Sequence, residues 1–486
     1  MYLKNTLISL IALFMAAGVY AQSNTMYYQS GPPQAYWLNP ATQPICNVFV
    51  GIPVLNNLYV ETYNTGALIA DMLWNAEYTS DVLHPLHPDA NLDDFLANFN
   101  DENEFLADLY ISPISFGFRI KDMYFTFDVT SRSKLEYYYP YDLVSFALKG
   151  NQNNTTYNFN SLGLSLSEHM EFGLGVSRKF ADMFTIGIRP KLLTGLATIH
   201  STDNSISLFT STEEWVFESQ LEMQMAVSGL NIPVNEEGNF DPSGEFSFDS
   251  TLSSASDFRE LAFRNKGFGI DIGAHVEVLE GLTLSASVLD LGFIKWKENL
   301  HTATLEGNYR FEGVEFNTDD TIQFVEYLWD SIKADFTVNG NSDPFTTFLD
   351  PKIYIGGTLE LHPKLDAGIL ARFDFQETGV KTNVMVHANW HPNSAFSLSA
   401  SYSPFGRRAN TFGLGLFFRA GPLGIYTIAD YRSVRYRLYK YESIPFFAAP
   451  ANRARFNTQI GINIMIGSNR KKKLMKDKPM YYSMDY

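Results

Sequence analysis

Charged side chains stand at alternate positions of otherwise apolar or small-residue segments: Arg119, Asp128, Arg189, Lys191, Asp271, Glu277, Lys352, Glu360, Asp366, Arg372, Asp374, Lys381 and Arg419. Both signs are mixed within one face. Opposite charges on neighbouring strands pair, so the pattern predicts an interlocked lumen network rather than a pore lined with one sign. His387 and His391 share a face with spacing four, and His275 has the same inward parity. Four residues of a strand span roughly 13 Å, too far for both imidazoles to reach one metal ion. NTDD at 317–320 and STDNS at 201–205 carry calcium-type oxygens without the spacing of a known calcium loop, and read as solvated turns. No Gly-x-Ser-x-Gly stands on a strand-to-helix turn, as a lipase elbow requires. The chemistry expected is therefore non-enzymatic, with no metal and no cofactor.

Those charges need a scaffold, and the sequence names its period. In FNTQIGINIMIG, residues 456–467, Phe456, Ile460, Ile462, Ile464 and Ile466 alternate with Asn457, Gln459, Gly461, Asn463 and Met465. The same period of two recurs in six pairs of segments joined by tight turns: 114–120 with 123–129, 172–176 with 184–188, 267–278 with 281–296, 351–361 with 365–376, 380–391 with 395–403, and 410–420 with 423–433. Adding 456–466 and a first strand within 46–63 gives about fourteen strands, with a range of about 12–16. If 157–167 joined the wall, the count would rise to about sixteen. Short turns alternate with long connections, near 64–112, 134–168, 201–266, 298–349 and 434–454. That asymmetry predicts an all-β fold, a transmembrane antiparallel β-barrel whose apolar face meets lipid and whose polar face meets the lumen. A large secreted β-domain alternates in the same way and is the competing fold reading.

Composition agrees with a barrel. Lys4 precedes an apolar stretch from Leu7 to Val19, with Val19, Tyr20 and Ala21 as a small-x-small site, so 1–21 reads as a cleaved secretory signal. No later run is long enough for a spanning helix. The lone Cys46 rules out an internal disulfide framework. A net charge of -17 excludes nucleic acid as a partner. The lysine run of the 468–486 tail would hold strand fourteen at the membrane surface, because a cation in the bilayer centre is costly.

Ahead of the first strand stands QAYWLNPATQP, with Asn39, Pro40 and Ala41. Together with hairpins such as FGFRIKDMYFTFDV and GVSRKFADMFTIGIRPKLL, it resembles the long-chain fatty acid transporter superfamily of outer-membrane barrels, including its secretion-associated scaffold members. The likeness is closest to an uncharacterised branch. This chain departs from the transporter pattern in having no Gly after Ala41 and in ending on a basic tail. The resemblance implies an N-terminal hatch, assigned to 22–45 with Asn39, Pro40 and Ala41 as its motif, a barrel over 46–467, and a plugged lumen. It implies integral residence in the outer membrane of a Gram-negative bacterium, both termini periplasmic, among outer-membrane lipids.

Two loop segments carry apolar stripes at helical spacing. Leu92, Phe95, Leu96, Phe99, Leu106 and Leu109 predict a helix over 92–109; Ile322, Val325, Leu328, Trp329, Ile332 and Phe336 predict another over 319–336. Either stripe packs on the barrel mouth or forms a greasy access groove for an apolar ligand or a docking face for a partner. Phe95, Phe99, Leu106, Val325, Trp329 and Ile332 are the candidate contacts. The function expected is a hatch-plugged channel for small hydrophobic molecules. The alternative is a non-conducting barrel that serves as scaffold for a secretion or surface-assembly protein partner.

Overall fold

The computed structural model describes residues 24–66, 91–181, 183–227, 265–311, 343–376, 379–406, 411–432 and 455–467, with short strands in the intervening connections. The signal at 1–21, the tail at 468–486 and residues 319–335 of the second stripe, with Val325, Trp329 and Ile332, lie outside the described residues, and Phe336 opens the short strand Phe336–Asn339.

Period-two sequence becomes a closed wall. One antiparallel sheet of twenty strands fills fourteen positions around a barrel. Val48–Gly51 and Leu58–Asn64 share the first position, and both pair with Glu102–Ile120 on one side and Arg455–Ile466 on the other, which closes the ring. Closure matters because an open edge in hydrocarbon leaves backbone groups unsatisfied at several kcal/mol each. The six hairpins and the last strand expected from the sequence are all present. The turns at Lys121 and Ala181 take left-handed φ of 53° and 48°, which tight reversals require. Residues 163–167 extend the Gly163–Phe180 strand, so the count stays at fourteen.

The outer surface is apolar on all sides. Phe116, Phe118, Ile188, Phe268, Leu284, Ile355, Ile369, Leu414, Ile425, Ile460 and Ile464 are exposed. Between them the inward Asn457, Gln459, Asn463 and Met465 are buried. A wall with this polarity is a transmembrane β-barrel, and it removes the secreted β-domain reading.

The wall is taller on one side. About ten residues suffice to cross a bilayer, yet Glu102–Ile120, Met123–Pro140, Gly163–Phe180 and Phe184–Thr210 run 19, 18, 18 and 27 residues. The lower half of Phe184–Thr210 pairs with Asn265–Leu279, and its upper half changes neighbour to Trp215–Val227, which pairs onward with Leu300–Phe311. Leu193, Ala226, Ile294, Leu300 and a fully buried Trp296 fill this fork, with Trp296 Nε1 donating to Thr347 Oγ1 at 2.9 Å.

The expected 92–109 helix is corrected to Leu92–Leu96. Asn91 caps it by accepting from the amides of Asp93 and Asp94, and Asn98 Nδ2 closes its end on the carbonyls of Asp94 and Phe95. From Glu102 the chain is a strand, in which Leu106 pairs with Tyr63 and Glu136. Ladder bonds to two neighbours there outweigh one more turn of helix. A second helix, Tyr141–Lys149, was not expected; Tyr141, Val144 and Leu148 pack on Phe95, Leu96 and Phe99. Lys149 reaches Asp93 between the two helices, which raises the pKa of its ammonium.

Candidate functional site

Residues 24–47 lie inside the wall at the end where the short turns are. Two short 3-10 helices, Thr25–Tyr27 and Pro33–Trp37, carry Met26, Tyr27, Ala35 and Tyr36 into a core with Phe49, Tyr124, Tyr354, Phe417 and Met465 from strands around the ring. Polar groups of the segment are met all the way round. Thr25 bonds Ser401 and Asp430, Gln34 exchanges amide bonds with Asn463 at 2.6 and 3.1 Å, and Arg119 donates to Gln43 and to the carbonyl of Pro44. Ser397 donates to the Ser30 carbonyl, and Asn389 to that of Tyr28.

Asn39, Pro40 and Ala41 sit at the deepest seam. Asn39 Nδ2 donates to Tyr27 Oη at 2.9 Å and to the wall carbonyl of Ala286 at 3.2 Å, and its Oδ1 accepts from the amide of Ala41 at 2.9 Å. The motif lies on two cross-strand partners, Gly187 and Gly273. A Cβ at Gly187 would meet the Pro40 backbone at 2.1 Å, and one at Gly273 would meet Asn39 Oδ1 at 2.0 Å. Only glycine permits this approach.

Above the segment one sector of the lumen is ionic. Arg189 binds Asp128 and Asp271; Lys191 binds Asp271 at 2.8 Å and also Asp290; Arg132 binds Glu171 at 3.1 Å and Asp290 at 3.0 Å; Lys352 binds Asp290 at 2.6 Å. Four cations thus meet four carboxylates. Tyr36 donates to Asp128 at 3.2 Å, tying the inner segment to this layer. Charges so far from water persist only when each is paired, because removing one partner costs about 3–5 kcal/mol.

Of the lumen residues expected, Asp128, Arg189, Lys191, Asp271 and Lys352 come together here. Arg372 and Asp374 form a separate pair at 2.6 Å, and Lys381 faces Glu104 at 3.5 Å. Arg419 donates to the carbonyls of Gly421 and Met465, and Asp366 accepts from Asn389. Glu277 and Glu360 do not join: both are exposed at the short-turn rim, where the lumen face meets water. Arg132, Glu171 and Asp290 complete the layer and were missed. The histidines separate, His275 onto Thr42, His387 against the Tyr28 ring and His391 beside Asp366. Residues 201–205 lie within the Phe184–Thr210 strand rather than a turn, and 317–320 lie outside the described residues. No group of three or more His, Cys, Asp or Glu side chains that could hold a metal ion occurs among the described residues.

Over the ionic layer opens a cavity of about 380 Å³. Its upper wall carries Leu106, Tyr138, Leu162, Leu166, Phe348 and Leu349; its floor is Asp108, Tyr110, Arg132, Asp290, Lys352 and Arg372. The same floor residues roof a smaller space of about 60 Å³ that ends on Met26, Trp37 and Leu38 of the inner segment. Phe95 and Phe99 pack with the Tyr141–Lys149 helix outside this cavity.

The wall defines a transmembrane β-barrel, with residues 24–47 folded inside it and the cavity above them. The chain belongs to a family of unknown function, DUF5723, whose description matches residues 40–430. Similar solved structures include the Ralstonia pickettii toluene transporter TbuX (10% identity, 90% of this chain and 98% of that one, TM-score 0.42). The Pseudomonas putida toluene transporter TodX is 11% identical, over 92% and 94%, with a TM-score of 0.39. A Pseudomonas aeruginosa FadL homologue is 10% identical, over 92% and 100%, with a TM-score of 0.42. The resemblance read from the sequence thus recurs among solved barrels. At this similarity it carries no argument about what the present barrel admits. No curated protein matches the chain.

Proposed function

We propose that this protein is an outer-membrane channel for small hydrophobic molecules, with residues 24–47 as the hatch and both termini on the periplasmic side. One observation carries the reading: a lumen cavity of mixed lining, with Leu106, Leu162, Leu166, Phe348 and Leu349 among polar neighbours, closes on a charged floor, and the space beneath that floor ends on the inner segment. A solute that settles in the cavity has the charged floor and then the inner segment between it and the far side. On the side of Ser397, Asn389 and Asn463 the inner segment is held by a few hydrogen bonds, most of them between neutral groups and worth about 0.5–1.5 kcal/mol net each, so it can shift without breaking the wall. The signal peptide and the basic tail fit the same placement. Deletion of residues 24–45 tests it: in planar bilayers the variant should conduct steadily where the intact protein is closed, and should speed liposome uptake of a hydrophobic dye. Equal, low conductance and uptake in both proteins would overturn the channel reading.

The ionic layer favours a second reading. Balanced pairs across one sector resist opening, as a non-conducting scaffold would want. A protein partner recovered in stoichiometric amount after mild extraction, with no gain of conductance on hatch deletion, would select the scaffold.

A further inference from the structure

We propose that the cavity accepts an amphiphile with a protonated amine, whose ammonium head seats at Asp108. This rests on the reading of the cavity as a solute site and names the solute class. Glu61 and Asp108 are direct cross-strand partners, both facing the lumen and only 2% and 9% exposed. Two like charges directly opposite oppose each other. Each accepts one phenol: Tyr59 donates to Glu61 and Tyr110 to Asp108, both at 2.8 Å, while the two rings stack at 4.6 Å. The second oxygen of Asp108 is buried without a hydrogen-bond partner.

Other orphaned groups converge on the same place. Gln459 Oε1 and Thr130 Oγ1, on side chains 3% and 5% exposed, lack partners and border the 60 Å³ space together with Asp108. Gln459 is the cross-strand partner of Tyr59. Buried polar groups are ordinarily satisfied; of the unpartnered atoms that border this space, Asp108 Oδ1 and Gln459 Oε1 can only accept, Thr130 Oγ1 can do either, and Arg132 Nε lies 3.1 Å from Glu171. The unpartnered indole N–H of Trp37 borders this space too, a donor that a hydrating water would serve.

Charge decides the sign of the head group. Every cation of the floor is already taken: Arg132 by Glu171 and Asp290, Lys352 by Asp290, and Arg372 by Asp374. Lys134, opposite Asp108 on the next strand, is engaged by Glu136 and Asp350. A carboxylate head finds no unclaimed cation; an ammonium finds Asp108. Leu106, Leu162, Leu166, Phe348 and Leu349 of the upper wall take the tail, which distinguishes an alkylammonium from a bare inorganic cation.

The test uses the full chain in mild detergent, with hexylammonium, hexanoate and hexanol titrated by calorimetry at pH 7 and Asp108→Asn as reference. A charge-assisted hydrogen bond corresponds to roughly tenfold or more in affinity. Hexylammonium should bind the native protein at least about tenfold tighter than the other two, and Asp108→Asn should abolish that margin. Hexanoate or hexanol binding as tightly as hexylammonium would overturn the ammonium assignment and leave the hydrophobic channel standing, as would a margin that survives Asp108→Asn. Full competition by sodium or potassium chloride at equal concentration would assign the seat to an inorganic ion instead. Failure of all three ligands to bind would remove the cavity as a solute site, and the channel reading with it.

Discussion

The lumen has two unlike sides. From Met123–Pro140 round to Lys352–His362, the wall presents Arg132, Glu171, Arg189, Lys191, Asp271, Asp290 and Lys352. From Gly379–Asn393 round to Arg455–Ile466, it presents mainly Ser397, Ser399, Ser401, Asn389, Asn457, Gln459 and Asn463, with charges spaced apart at Lys381, Arg419 and Asp430, the last of which Thr25 meets. Both sides are buried and both touch the inner segment. The ionic side fixes geometry because its members share partners: Lys191 meets Glu171, Asp271 and Asp290, Asp290 meets Arg132, Lys191 and Lys352, and losing a shared member leaves buried charge behind. The amide and hydroxyl side holds by bonds that water can replace at little cost. A movable segment needs one rigid wall to seat against and one wall it can leave.

The largest test of that contrast is Arg189→Met, which leaves Asp128 buried without its cation and Asp271 with Lys191 alone. It should cost about 3–5 kcal/mol, read as a lowered urea midpoint in detergent. Asn39→Ala removes the hinge between the segment and the glycine pair, and leaves the Ala41 amide and Tyr27 hydroxyl without Asn39. A loss of about 1–3 kcal/mol is expected, together with faster proteolysis within residues 24–47. Ser397→Ala, on the neutral side, releases only the Ser30 carbonyl. It should cost no more than about 0.5–1.5 kcal/mol and leave the urea midpoint nearly unchanged, while hydrogen exchange at residues 28–31 accelerates. Were Ser397→Ala to cost as much as Arg189→Met, the two sides would not differ in kind.

How much of this was readable beforehand follows from parity. Arg189, Lys191 and Asp271 stand on uninterrupted strands, so counting by two placed them inside. Asp290 does not: Ser285, Ser287 and Leu289 point inward, and then Asp290, with φ of 60°, points inward again while its amide donates to Asp271 at 2.7 Å. A bulge that flips parity is invisible to a period-two count. Arg132 and Glu171 fell beyond assumed strand ends, because length in the tall sector exceeds what a bilayer demands. The 92–109 stretch fits both periods at once: Phe95, Leu96 and Phe99 keep helical spacing, while 102–111 alternates well enough to pair with strands on both sides. The orphaned acceptors near Asp108 come from three strands distant in sequence and had no local signature.

Phe184–Thr210 runs unbroken from a short turn, past Arg189 and Lys191, to the far rim, where it changes neighbours beside Trp296. At about 3.3 Å per residue, its 27 residues span roughly 90 Å at most, and two bulges interrupt the ladders on the way, at 195–197 against Gly163–Phe180 and at 201–203 against Trp215–Val227. A load applied to the crown therefore meets a bend at each bulge before it reaches Arg189 and Lys191, so the tall sector can flex while the ionic seat keeps its place.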